Sequence, residues 1–188
     1  MIEKLKQHYE IEQKNERLFK MYIKEEELIA TISFISTNTN FITLSQITCT
    51  DWIEDEVFAL NYILTTEMRD KNLMVEVNIS RDNSELPTLL NLFPQAEVME
   101  RDLHEMYGIK FGGNPTLYDF ALENWNNTPP LRREFDTLAY VNEQFDFRGG
   151  RDDNKDVKKE TKRRRTEAKK LKAQEEAKKA KEEPKDEQ

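Results

Sequence analysis

The chain is short of reactive groups: one cysteine, Cys49, two histidines, His8 and His104, and five glycines in 188 residues. A lone cysteine excludes an internal disulfide and any cysteine-ligated metal or iron–sulfur site built within this chain alone. No run approaches the ~18 apolar residues that span a bilayer. The opening M-I-E-K-L-K-Q-H-Y-E has no apolar core of the signal-peptide kind, so a soluble cytoplasmic protein is expected. There is no phosphate-binding loop, no G-x-G-x-x-G and no H-E-x-x-H. His104 adjoins Glu100, Asp102 and Glu105, and it reads as a surface or interface histidine beside acidic neighbours rather than a base or ligand. Cys49 has no histidine near it in sequence and reads as a buried free thiol. No catalytic residue, cofactor or metal is expected in this chain alone.

Charge is what the chain has in excess, and it is unevenly spread. Of 29 Lys/Arg and 37 Asp/Glu, residues 151–188 hold 15 and 11, leaving 14 and 26 in the first 150 residues. An acidic body of net −12 therefore carries a basic tail of net +4. Val157 and Leu171 are the tail's only large apolar residues, too few to bury a core. It is expected to be disordered or a single solvated helix. Within it, 158–172 holds nine Lys/Arg against two Glu, centred on Lys162, Arg163, Arg164 and Arg165. That run suits an anionic membrane surface or a polyanion. A merely solubilising tail is the plainer reading. No aromatics are interleaved for base stacking, so nucleic acid is not the expected partner, and a nucleic-acid-binding adaptor acting through the tail stands only as the alternative function.

Periodicity gives a coarse fold. Residues 2–17 read as an amphipathic helix. Residues 18–23 and 28–35 read as two strands of a hairpin around the turn K-E-E-E, and 41–47 as a short helix or irregular strand entry. The clearest strands are 57–65 and 73–79, joined by a polar turn; Leu73, Val75, Val77 and Ile79 alternate with Met74, Glu76 and Asn78, as in a half-buried antiparallel strand. Pro87 suits the first turn of a short helix at 88–92. Residues 112–136 hold half of the glycine and proline of the first 150 residues. They also carry Leu117, Tyr118, Phe120, Leu122, Trp125 and Leu131, so they read as an irregular arm lying against something.

Residues 97–105 pack five charges and a histidine into nine positions, and the pattern breaks at Gly108. On a helix, Met99, Leu103 and Met106 or Tyr107 form an apolar stripe. Glu97, Arg101 and Glu105 stand at i, i+4 and i+8, which places one arginine between two carboxylates; Glu100 and His104 form a second such pair. Gly108 suits the left-handed stop of that helix.

E-R-D-L-H-E-M-Y-G-I-K-F at 100–111 resembles the E-R-E-x-x-D-M/L-F/Y-G-I/V-x-F signature of the 30-kDa subunit family of respiratory complex I, the NADH-quinone oxidoreductase. The small subunits of energy-converting NiFe hydrogenases share that signature. Thr128, Pro129, Pro130, Leu131, Arg132, Arg133, Glu134 and Phe135 resemble the family's second motif, G-H-P-L-R-K/R-D/E-F/Y. Residues 46–52 and 58–62 resemble its strand entry and following strand. Between the two motifs the family's G-H-P-x-L/P-R-R becomes G-N-P-T-L-Y-D at 113–119. Asn114 and the pair Tyr118-Asp119 replace its histidine and arginines, positions expected to touch a neighbouring subunit.

The resemblance implies an α+β fold, a small helix-flanked mixed β-sheet (1–111) with an extended interface arm (112–150) and the charged tail (151–188). It implies a cofactor-free structural subunit in the peripheral arm of a complex that carries electrons from NADH to quinone with proton translocation, or of a related hydrogenase. The partners would be the large 49-kDa-like or hydrogenase-large-like subunit and a neighbouring iron–sulfur subunit. The location would be peripheral, on the inner face of the cell membrane. The residues expected to meet a partner or shape the junction are Glu97, Glu100, Arg101, Asp102, Glu105, Gly108, Pro115, Trp125, Pro130, Leu131, Arg132, Arg133 and Phe135.

Overall fold

A computed structural model describes residues 2–144 and residues 162, 163 and 166. Two compact units are present, Met1–Thr137 and Leu138–Gln188. The first is an α+β domain built on a five-stranded mixed sheet, as expected. In chain order come α1 (Ile2–Lys6), β1 (Ile11–Gln13), β2 (Leu18–Ile23), α2 (Leu28–Asn38), β3 (Phe41–Trp52), β4 (Val57–Thr66) and β5 (Asn72–Ser80). Then follow β6 (Glu85–Pro87), α3 (Ala96–Tyr107), β7 (Lys110–Gly112) and α4 (Thr137–Gln144). The sheet order is β1-β2-β5-β4-β3, with β2 parallel to β5 and the other pairs antiparallel; β6 and β7 form a separate parallel pair.

The register sorts side chains cleanly. Rows Phe19–Leu73–Leu64–Leu44 and Met21–Val75–Tyr62–Ile47 cross four strands and are buried. Leu28, Ile32 and Ile35 of α2 and Ala96 and Leu103 of α3 join the same core. The other sheet face carries Lys20, Tyr22, Glu76, Asn61 and Thr48, where a Lys20–Glu76 ion pair of 2.8 Å ties two strands.

The strands at 57–65 and 73–79 form as expected, 41–47 takes its irregular-strand alternative rather than the short helix, and three local readings are corrected. The helix read at 2–17 stops at Lys6, and Ile11–Gln13 becomes a strand paired with β2. Asn15 turns the chain between them, its side-chain oxygen accepting the Arg17 and Leu18 N–H groups at 2.8 Å each. Residues 28–35 are helix, not strand. The alternation of β-branched groups there hides a stronger pattern: Leu28, Thr31, Ile32 and Ile35, the buried set, stand at i, i+3, i+4 and i+7. Glu25, Glu26 and Glu27 form a 3-10 turn at that helix's N-terminus, where the helix dipole favours negative charge.

The stretch at 41–47 belongs to a twelve-residue strand whose register shifts twice, between Phe41 and Thr43 and between Leu44 and Gln46. Such irregularities break the period of two that would have marked it. Residues 88–92 are a turn, with the Leu92 and Phe93 N–H groups both reaching the Leu89 carbonyl; Pro87 ends β6 rather than opening a helix.

Long β3 lies at the edge of the sheet. Its carbonyls at Leu44 and Cys49 are taken by the Gln95 amide (3.3 Å) and the Tyr107 hydroxyl (3.0 Å). α3 therefore caps the edge that would otherwise invite another strand.

Candidate functional site

α3 ends as its sequence dictates. Gly108 adopts φ 77°, its N–H returns to the His104 carbonyl at 2.8 Å, and the chain turns into β7. A Cβ at Gly108 would stand 3.2 Å from Pro129 Cγ and 3.4 Å from Arg132 Nη2. Both the backbone angle and the returning arm thus require glycine here. Gly108→Ala is expected to cost about 1–2 kcal/mol, read as a lower urea midpoint at unchanged slope.

The arm runs alongside α3 and is held by it step by step. The Arg101 guanidinium donates to the Tyr118 carbonyl (Nε, 2.9 Å) and to that of Asp119. It lies between two rings, 3.9 Å from the Tyr118 centroid and 4.9 Å from that of Phe120. One turn on, the Glu105 carboxylate accepts the N–H groups of Phe120 (2.9 Å), Ala121 (2.9 Å) and Leu122 (2.8 Å). Burial pushes this carboxyl up, but the three N–H bonds and the charge of Arg101 outweigh it and hold the group below its ordinary value. Farther along, the Leu131 N–H meets the Met106 carbonyl (3.0 Å) and Arg132 Nε meets that of Tyr107 (2.7 Å). These last bonds satisfy carbonyls that a helix C-terminus leaves open.

Arg101 therefore does not sit between Glu97 and Glu105. Among the described residues it makes no ion pair, and its fork reads backbone carbonyls instead. Nor do Glu100 and His104 pair. His104 Nδ1 lies 2.8 Å from the Ile109 carbonyl. Glu100 is fully buried, and its carboxylate accepts the Thr88 hydroxyl (2.6 Å), the Leu89 N–H (2.7 Å) and the Asn114 amide (2.9 Å). Asn114, expected at a neighbouring subunit, is enclosed by its own chain at 8% exposure. Its amide also approaches the Glu97 carbonyl, and its oxygen accepts the Thr116 N–H and hydroxyl. Asp102 and Pro115 are both exposed. Trp125 stands edge-on to Phe135, centroids 5.4 Å apart, and donates to the Thr128 carbonyl.

A second cluster fixes the Pro130–Phe135 motif, and sequence reading missed its centre. Asp51 on β3, 5% exposed, forms an ion pair with Arg81 (2.7 Å) and accepts the Arg133 N–H (2.9 Å). Arg81 also bonds Glu134, which lies 3.6 Å from Arg132. The guanidinium groups of Arg81 and Arg132 stand 5.5 and 5.1 Å from the centroid of the Phe58 ring. One signal was available: Asp51 follows Ile47 and Cys49 at inward-facing positions of its strand, and an inward carboxylate needs a cation. Cys49 is part-buried; burial, with a smaller push from Asp51, raises its thiol to about 12, so it is not a thiolate nucleophile. Among the described residues no cluster of His, Cys, Asp and Glu is placed to hold a metal, and no helix is long and apolar enough to cross a membrane.

Known proteins resemble this chain over the domain and its arm. Over 115 residues it is 30% identical to the NADH-quinone oxidoreductase C subunit of Moorella thermoacetica, covering 61% of this chain and 78% of that one. A C-type subunit of the same enzyme from Rhizobium etli is 30% identical over 125 residues, 64% of this chain but 62% of the relative, less than two thirds of its length. The NADH-quinone oxidoreductase C/D subunit of Proteus mirabilis is 36% identical over 83 residues, 44% of this chain and 14% of that one. Among solved structures, a chain of the membrane-bound sulfane sulfur reductase, an archaeal respiratory membrane complex, superposes with a TM-score of 0.72 at 27% identity, covering 82% of this chain and 96% of that one. Residues 21–141 match the family described as the respiratory-chain NADH dehydrogenase 30 Kd subunit, and the chain belongs to that family.

Proposed function

We propose that this chain is a cofactor-free scaffolding subunit in the peripheral electron-transfer arm of a complex I-like NADH/quinone oxidoreductase. It docks through its arm on the large 49-kDa-like subunit and adjoins an iron–sulfur subunit at the inner face of the membrane. The observation that carries this reading is the arm itself. Arg101, Glu105, Asp51 and the α3 C-terminus hold it along its length, yet Tyr118, Phe120 and Leu131 remain 60, 50 and 52% exposed. Rigid backbone under exposed aromatic and aliphatic groups is what a docking surface requires, because little ordering entropy is left to lose on binding. In the Proteus chain the matched region is a small part of a longer protein, which supports a large neighbour fixed beside this domain. We divide the chain accordingly into a body (1–111), an arm (112–150) and a tail (151–188).

Affinity purification of the full chain from native membranes tests the reading. The large subunit and an iron–sulfur subunit are expected to co-purify, and recovery of the chain alone would overturn it. The equivalent subunit of an energy-converting hydrogenase is a second reading, supported by the near-complete superposition on a chain of another respiratory membrane complex. The large subunit recovered decides between them: paired C-x-x-C metal-ligand motifs mark a hydrogenase, and their absence marks quinone reduction. A polyanion-binding role for the tail rests on 158–172, where Lys162 and Arg163 are helical and exposed. Arg164, Arg165 and the rest of the tail expectation lie outside the described residues. Deleting 151–188 should leave assembly intact under the scaffolding reading and abolish function under the polyanion one.

A further inference from the structure

The second motif presents two consecutive arginines, and the structure gives them opposite surroundings. Arg132 is turned inward. Its Nε donates to the Tyr107 carbonyl at 2.7 Å, its Nη1 lies 3.6 Å from Glu134, and its guanidinium faces the Phe58 ring at 5.1 Å. Arg133 is anchored by its backbone alone, through the N–H that Asp51 accepts at 2.9 Å. Its side chain is exposed and, among the described residues, meets no carboxylate within ion-pair distance. Leu131, two positions earlier, is likewise fixed by its N–H, to the Met106 carbonyl, with its side chain 52% exposed. Tight turns produce this division, since the Arg132 N–H returns to the Pro129 carbonyl and the Phe135 N–H to that of Arg132.

We infer that Arg133 and Leu131 are the arm's specificity contacts, and that the partner protein offers them a carboxylate bordered by an apolar surface. The inference rests on the docking reading and goes beyond it, since that reading alone assigns both arginines to the interface. Arg132 is a positioning residue: its Nε and its guanidinium face are already engaged by the Tyr107 carbonyl and the Phe58 ring, so it sets the arm's path and contributes through Arg133. Charge decides the partner's chemistry. A guanidinium two positions from an exposed leucine loses water when the surface is covered, and a desolvated cation is stable only opposite an anion. The fork favours a carboxylate that takes two N–H groups at once. The cation also stands out on a body of net charge −12, so it cannot be replaced by a general attraction between the body and an acidic partner.

The test uses the full tagged chain expressed in its native host, with membranes solubilised and the large subunit quantified in the eluate. Arg133→Glu and Leu131→Ser are expected to lower its recovery roughly tenfold or more, while the unfolding midpoint of the purified chain stays at the wild-type value. Arg133→Lys should recover part of the binding. Arg132→Ala is expected to lower the unfolding midpoint itself, a readout that a pure contact residue would not move. A photo-crosslinking residue in place of Tyr118 reports arm docking independently. An adduct to the large subunit together with normal recovery for Arg133→Glu overturns this inference and leaves the docking reading standing. Absence of any Tyr118 adduct, with normal recovery, overturns both.

Discussion

Replacing Glu100 with alanine is expected to destabilise the domain by about 3 kcal/mol, because buried donors left without an acceptor cost about 1–3 kcal/mol each. Three would be stranded at once: the Thr88 hydroxyl, the Leu89 N–H and the Asn114 amide. Recovery of the carboxylate's own burial penalty offsets part of that sum. The loss is large against a total stability of about 5–15 kcal/mol. It would also loosen α3 from residues 88–89 and from the Asn114 turn, where the arm leaves the domain. Urea unfolding of Glu100→Ala, with Glu100→Gln beside it, measures the effect. A cost below about 1 kcal/mol for alanine would show that the site collapses or hydrates without strain.

The same residue predicts a pH dependence. Burial raises the Glu100 carboxyl above its ordinary 4.5, against the opposing pull of the Thr88, Leu89 and Asn114 hydrogen bonds. The folded state therefore holds this proton more tightly than the unfolded chain. Its contribution to stability is fully present below 4.5 and is lost as pH rises through the folded value. Wild type should lose stability relative to Glu100→Gln over that window. A difference that does not vary with pH would mean that Glu100 titrates as an ordinary carboxyl. Glu105 has the opposite sign: its lowered carboxyl contributes above its ordinary value, and that contribution is lost on acidification through the folded one.

The second large effect is expected at Arg81. Arg81→Ala leaves Asp51, 5% exposed, without the ion-pair partner it has among the described residues, and releases Glu134 from the sheet. Breaking one side of a buried pair costs about 3–5 kcal/mol because the remaining charge stays buried. The damage should concentrate in the arm, since Asp51 also holds the Arg133 N–H. Limited proteolysis between Gly112 and Thr137 should accelerate well before the strands of the sheet are cut. A double-mutant cycle with Asp51→Ala checks the mechanism: the second substitution should add little to the first, whereas additive losses would mean the two residues act separately.

Much of the fold was legible because it follows from short-range pattern. The alternation from Leu73 to Ile79 placed β5, and Gly108 placed the end of α3. Leu28–Asn38 was misread because β-branched residues alternate there by chance at a period of two, while packing chose the period that buries Leu28, Thr31, Ile32 and Ile35. β3 was obscured by its two register shifts. The candidate site was half legible: motif residues could be named, but not what they touch. Glu97, Arg101 and Glu105 have helical spacing, which suggested that they pair with one another. Arm backbone 17 residues farther on offers Arg101 and Glu105 better geometry, with several donors or acceptors converging on one side chain.

The sequence by itself determined the family, the apolar stripe of α3, its glycine stop and the presence of an anchored arm, all of which depend on residues near one another in the chain. Only the tertiary structure decided that Glu100 and Asn114 face inward, that Asp51 and Arg81 clamp the second motif across 30 residues, and that Arg132 turns in while Arg133 stays out. Those assignments depend on which charges lose their water on folding. A charge's neighbours in space, rather than its neighbours in sequence, fix that.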